Sequence, residues 1–172
     1  MRPASDRARI GVIGTGWWAT YAHLPSLTSY ERAEVVAIAD PSPERLAAAG
    51  EHFGIAAQYA DYRAMLDRGD LDGVIVATPH STHHAVAREV LTRGIPLMLE
   101  KPMVLRARDA RELIDLADRH GVPLVIGYPC THVVPLSGGS IVDPRSRRGA
   151  HQRWGVRRQH RVASSSNKST RT

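Results

Sequence analysis

The feature that most constrains this chain is a glycine-rich turn set between an apolar run and a helix start. Ile10-Gly11-Val12-Ile13 stops at Gly14-Thr15-Gly16, and Trp17-Trp18-Ala19 follows at once. Gly14 can take a tight turn, and Gly16 lets the backbone approach a pyrophosphate. Ala19 fills the third small position, where the helix must pack close to the strand. The helix would offer unpaired N–H groups and the positive end of its dipole to that anion. Asp40 closes the next apolar run, 35–39. An acid at the end of a second strand suits the ribose hydroxyls of a bound dinucleotide. Its carboxylate would repel a 2′-phosphate and favours NAD, while Ser42 and Arg45 just beyond it soften that preference and leave NADP open.

Downstream, strand and helix signals alternate. A first helix is expected over 17–29, with Pro25 limiting its regularity. Ser42-Pro43-Glu44 reads as N-cap, first helical residue and acid in the first turn, opening a helix that stops at Gly54. A short strand around 57–59 precedes a helix from about Asp61 to near Gly69. Val74-Ile75-Val76-Ala77 reads as a central strand covered on both faces, broken by Thr78-Pro79. A helix over 83–92 carries an apolar stripe of Ala85, Val86, Ala87, Val90 and Leu91. A strand over 95–99 runs into Glu100-Lys101-Pro102. A helix over 107–119 is expected to bury Ala110, Leu113, Ile114 and Ala117, and Leu124-Val125-Ile126-Gly127 supplies a sixth strand. The fold class is α/β: a doubly wound parallel sheet of the Rossmann type, order 3-2-1-4-5-6, with ligand across the strands' carboxyl ends.

The charge is unevenly placed. Residues 137–172 hold nine of the 23 Lys and Arg and one of the 17 Asp and Glu, a net +8 against −2 for residues 1–136. That segment, with Ser137-Gly138-Gly139-Ser140 and the cluster at Arg145, Arg147 and Arg148, has few apolar residues and no periodicity, and it is expected to be disordered. The expected division is therefore a dinucleotide-binding domain over 1–136 and a basic low-complexity tail over 137–172. Cys130 is the single cysteine, which excludes an intramolecular disulfide and a cysteine-only metal site. No apolar run reaches the roughly 20 residues of a membrane span, and no secretory signal is visible at the start, so a cytoplasmic protein is expected. His80, His83 and His84 cluster without a carboxylate or cysteine, and no metal is expected. The folded part shows no basic face or reading motif, so nucleic acid is not an expected partner.

Taken in order, Gly11 to Gly16, Val36 to Asp40, Asp72 to Pro79 with His83, Glu100-Lys101-Pro102 and Gly127-Tyr128 resemble the N-terminal half of the Gfo/Idh/MocA family of oxidoreductases (glucose–fructose oxidoreductase and inositol 2-dehydrogenase). The resemblance covers roughly residues 9–135. It implies hydride transfer between a nicotinamide dinucleotide and a sugar or polyol hydroxyl. It makes Lys101 the active-site lysine, where nicotinamide and substrate hydroxyl meet. An ammonium can orient the oxygen and serve proton transfer there. It also implies that Glu100 orients backbone or cofactor groups, that Thr78 and Pro79 line the cofactor cleft, and that His83 stands near the cofactor. Trp17 and Trp18 are expected to pack around the loop and cleft.

The family continues into a second α/β domain that supplies most substrate contacts. Here the match gives way after Pro135 to the Arg/Ser/Gly tail, as in a truncated or frame-shifted product. Three functions are therefore open at this stage: an oxidoreductase by descent, a dinucleotide-binding module without catalysis, or, least favoured, nucleic-acid binding through the basic tail.

Overall fold

The computed structural model describes residues 7–128; Cys130 and the basic tail, about which the sequence raised expectations, lie outside them. Six strands form one parallel sheet: β1 (Ala8–Ile13), β2 (Ala33–Ala39), β3 (Gln58–Tyr59), β4 (Gly73–Val76), β5 (Leu97–Leu99) and β6 (Leu124–Ile126). Their order is β3-β2-β1-β4-β5-β6, and every pairing is parallel, as the alternation of the sequence predicts. The helices are α1 (Leu24–Thr28), α2 (Pro43–Phe53), α3 (Tyr62–Leu66), α4 (His83–Thr92) and α5 (Ala107–His120). None of the described helices is long and apolar enough to cross a membrane.

Successive side chains of a strand point to opposite faces, and the core divides accordingly. Ile13, Ala37, Ala39, Val74, Val76, Leu97 and Leu99 face α3, α4 and α5, where Met65, Val86, Leu91 and Leu113 meet them. Val12, Ile38 and Ile75 face the other way, toward Leu24, Leu46 and Ala49. The caps follow the chemistry expected. Ser42 Oγ accepts from the Arg45 N–H and Pro43 opens α2, while Gly54 ends it at φ +69°. Asp61 caps α3 in the same way.

Three local expectations are corrected. The first helix is not uniform: it starts at Trp17, widens into a π turn over Ala19–His23, then resumes as α1. Pro25 has no N–H to donate, and its ring crowds the carbonyl four residues back. A turn closed through i→i+5 bonds, such as Leu24 N–H to Ala19 O, relieves that crowding. On α4, Ala85 is exposed and the buried set is His83, Val86, Ala87, Val90 and Leu91. On α5, Ile114 is 48% exposed, Ala110 is only partly buried, and Leu116 joins Leu113 and Ala117 in the core.

The amino ends of the strands are laced by ions. The Arg68 guanidinium donates to Asp70 through Nε at 2.8 Å and Nη2 at 2.9 Å, Arg9 of β1 pairs with the same carboxylate, and Asp72 Oδ2 accepts the Arg9 N–H at 2.8 Å. The Arg68 hydrogen bonds hold the Asp70 carboxyl at a pKa of about 2, against the opposing effect of burial. A carboxyl lowered by folding stabilises the fold above its unfolded value, near 4, and that contribution disappears as pH falls through about 2. Asp70→Asn is therefore expected to lower unfolding free energy by about 1–2 kcal/mol at pH 7. The gap from wild type should close toward pH 2, read as the denaturant midpoint against pH.

Candidate functional site

At the carboxyl edge the order of the sheet reverses between β1 and β4, and a doubly wound sheet opens a crevice there. Gly14 sits at the strand end with φ +93°. A Cβ placed on it would lie 2.6 Å from the Ala77 carbonyl oxygen. The turn therefore passes hard against the end of β4, and only glycine fits. The Gly14 N–H continues the ladder to Ala39 O at 2.8 Å. Gly16 is different: a Cβ there would meet nothing within 4 Å. The fold itself does not require glycine at 16, and the space its missing side chain leaves opens into the cleft. That cleft, about 500 Å³, is lined by Gly14, Gly16, Trp17, Trp18, Asp40, Arg45, Thr78 and Pro79. The helix starting at Trp17 directs its first N–H groups, which lack intrahelical partners, toward the same space.

Asp40 is 5% exposed, yet it is well satisfied. Oδ2 accepts the Thr15 N–H at 2.8 Å and Oδ1 accepts the Ser42 N–H at 2.9 Å. The Arg45 guanidinium donates to both oxygens, Nη2 at 2.8 Å and Nε at 3.4 Å. Burial pushes the carboxyl upward, but Arg45 and the two N–H groups outweigh it, and the pKa lies below the ordinary value. Asp40 thus ties the glycine turn of β1 to the cap of α2, with Arg45, half exposed, across the cleft's rim.

These features together form a dinucleotide cleft. The model of the Gfo/Idh/MocA family, an oxidoreductase family with an NAD-binding Rossmann fold, matches residues 8–128. This chain belongs to that family. The rhizopine catabolism protein MocA of Rhizobium meliloti is 37% identical over 123 residues, 71% of this chain and 38% of that protein. D-apiose dehydrogenase of Paraburkholderia graminis is 36% identical over 70% of this chain and 32% of its own length. Among solved structures, a 3-ketoreductase from Actinomadura kijaniata in complex with NADP and TDP-benzene superposes with a TM-score of 0.67 at 31% identity, covering 70% of this chain and 37% of its own. An oxidoreductase from Agrobacterium radiobacter in complex with NAD+, L-tartaric acid and magnesium superposes at 0.68 with 26% identity, over 70% and 35%. The chain therefore carries the NAD-binding Rossmann domain of the Gfo/Idh/MocA family and spans about a third of the length of these relatives.

Not every residue singled out in the sequence faces the cleft. Thr15 is buried and does not line the cleft, and its Oγ1 has no partner. Ser42 is the cap of α2. Glu100 is buried at the end of β5. Its Oε1 accepts from Trp18 Nε1 at 2.8 Å and lies 2.9 Å from His23 Nε2, and its Oε2 accepts the Lys101 N–H at 3.1 Å. Lys101 follows it, exposed, with Nζ 5.8 Å from the centre of the Trp18 ring. His83 is fully buried behind the cleft wall. Its Nδ1 is 2.9 Å from Pro102 O and its Nε2 2.9 Å from Thr78 O. Both partners are acceptors, so a neutral ring serves one of them and the imidazolium serves both. His83 thus joins the β4 loop to the loop carrying Lys101. Of its neighbours, His84 pairs with Glu112 at 3.0 Å, and the exposed His80 sets its ring edge to face against His83 at 5.4 Å.

The sequence reading missed several lining residues, among them Pro41, Ala60, Tyr62, Thr82 and Val86. Ala60 and Tyr62 follow the carboxyl end of β3, a position the strand order already points to. His23 was missed because it is five residues from Trp18, a spacing that faces one way only in a π turn.

Two glycines give a direct contrast. Gly14→Ala should destabilise the fold by about 1–3 kcal/mol or more, since it adds positive-φ strain to a backbone clash. Gly16→Ala should leave the unfolding midpoint nearly unchanged. His83→Ala, which removes the buried ring that bridges the Thr78 and Pro102 carbonyls and opens a cavity, should cost about 2–4 kcal/mol. Denaturant titration reads all three.

Proposed function

We propose that this chain is the cofactor-binding part of an NAD(P)-dependent oxidoreductase acting on a sugar or polyol hydroxyl, in the cytoplasm. The observation that carries it is Gly16: a glycine with no structural need to be one, at the head of a helix and facing an open cleft. Family membership and relatives named as a sugar dehydrogenase and a ketoreductase support the substrate class.

In this reading the pyrophosphate lies over Gly14 and Gly16 at the helix start, with Thr15 and the indoles of Trp17 and Trp18 shaping that end. Asp40 faces the adenosine ribose, and Ser42 holds Asp40 in place. Arg45 lies over the Asp40 carboxylate. It can stay paired when the ribose is bare, or swing onto a 2′-phosphate, so NAD is favoured and NADP is usable. Thr78 and Pro79 form the opposite wall, and His83 fixes that wall from behind. When bound, the nicotinamide ring accepts or supplies the hydride. Lys101 then hydrogen-bonds the reacting oxygen and carries its proton, while Glu100 fixes the backbone from which Lys101 projects.

The purified chain should show saturable binding of NADH and of NADPH by nicotinamide fluorescence. Gly16→Asp, which adds a carboxylate where the fold has room, should abolish both without unfolding. Arg45→Ala should weaken NADPH about tenfold and NADH far less. Lack of binding by a chain folded by circular dichroism would overturn the cofactor reading. Binding without oxidation of any polyol offered would favour the dinucleotide-binding module, since Lys101 is exposed and the substrate side of the cleft has no described wall.

A further inference from the structure

Lys101 lies two residues past the end of β5 and is exposed, and among the described residues no carboxylate pairs with its ammonium. Its sequence neighbour Glu100 does not serve: both oxygens are turned inward, one to Trp18 and His23, the other to the Lys101 backbone. The ammonium stands instead over the Trp18 ring, 5.8 Å from its centre. We propose that Trp18 is a positioning residue for Lys101: Glu100 anchors its indole by the ring N–H, and the indole's π face holds the ammonium at the mouth of the cleft. The proposal rests on the reading of Lys101 as the proton-carrying lysine.

The geometry explains features that are otherwise costly. Trp18 keeps over a third of its surface exposed, an odd place for an indole whose N–H reaches a buried carboxylate, unless its face has a use. The negative face of the indole quadrupole is the best aromatic surface for a cation. The π turn has a purpose as well. Trp18 and His23 are five residues apart, and in an α-helix they would point apart. Across the wider turn their rings meet edge to face at 6.4 Å, and both nitrogens reach the same Glu100 oxygen. The titratable groups facing Trp18 are Glu100, just past β5, Tyr21 and His23 from its own helix, and Lys101 itself.

The chain has two lysines, Lys101 and Lys168, so reductive methylation with 13C-formaldehyde labels two side chains, which Lys101→Arg assigns. The Lys101 dimethyl signal is expected upfield of its own position in the urea-unfolded chain, displaced by the indole ring current, with nuclear Overhauser effects to indole protons. Trp18→Leu should return it to that unfolded-chain position. On unmodified protein at neutral pH, the same variant should let trinitrobenzenesulfonate arylate Lys101 roughly two- to five-fold faster, as the charged amine loses its partner. Should Trp18→Leu fail to fold, the wild-type shift and Overhauser effects decide by themselves. A Lys101 signal that stands at its unfolded-chain position in the folded wild type, or is unmoved by Trp18→Leu, overturns the proposal. None of these readouts needs dinucleotide, so a failed cofactor titration and a failed Trp18 contact are told apart.

Discussion

The cleft depends on the approach of the Gly14 backbone to the end of β4, where a single methyl group would collide with the Ala77 carbonyl. That approach is possible because β1 lies between β2 and β4 in a parallel sheet, so all three strands deliver their carboxyl ends to one edge. It brings the glycine turn within reach of both the Asp40 end and the Thr78 end. Once the turn is fixed there, Asp40 can accept the Thr15 N–H across from β2, and the helix that follows must begin at the rim of the crevice. The two glycines of the motif therefore have separate physical causes. One satisfies the fold and the other leaves room for something outside it.

The two edges of the sheet use charge in different ways. At the amino ends, Arg9, Arg68, Asp70 and Asp72 satisfy one another in a partly exposed lattice whose product is stability. At the carboxyl ends the carboxylates are buried, and each joins elements that flank the cleft. Asp40 joins the glycine turn to the start of α2, and Glu100 joins β5 to the π turn. Backbone N–H groups and arginine offset the cost of burying Asp40, while Trp18, His23 and a backbone N–H supply the partners of Glu100. A polar group that costs energy to bury and fixes a cleft wall is better accounted for by the cleft than by the core.

The sheet order, the caps at Ser42 and Gly54 and the glycine turn were all legible in the sequence, because each depends on one residue or on a short periodic run. Burial on α4 and α5 was legible only in part. Periodicity locates a stripe but not its width: Ile114 lies just past the edge that Leu113, Leu116 and Ala117 define against α4. The π turn was half legible, since Pro25 announces an irregularity without saying that the helix would widen rather than end. Of the candidate site, Gly14 and Gly16 on the glycine turn, Asp40 at the end of β2 and Thr78 and Pro79 after β4 were legible, and these line the cleft. Glu100 and His83 were legible as important residues but not in their placement. That placement depends on side chains reaching across from other elements: Trp18 and His23 to Glu100, and His83 to the carbonyls of Thr78 and Pro102.

His83 shows why a polar residue near a cofactor cleft need not face it. A histidine at the first turn of α4 could point into the cleft or under it. Here the imidazole lies under it, spanning 2.9 Å to a carbonyl on each side, one in the loop after β4 and one beside Lys101. Those loops have no direct strand pairing with each other, since the pairing of β4 with β5 ends at Val76 and Leu99. Beyond that register a buried bridge is needed to keep the two walls at one spacing. A rigid planar side chain with a nitrogen at each end spans that gap without adding rotatable bonds. The Lys101 loop is thus held from two sides, by His83 through the Pro102 carbonyl and by Glu100 through the Lys101 N–H, and the exposed ammonium projects from a backbone fixed on both flanks.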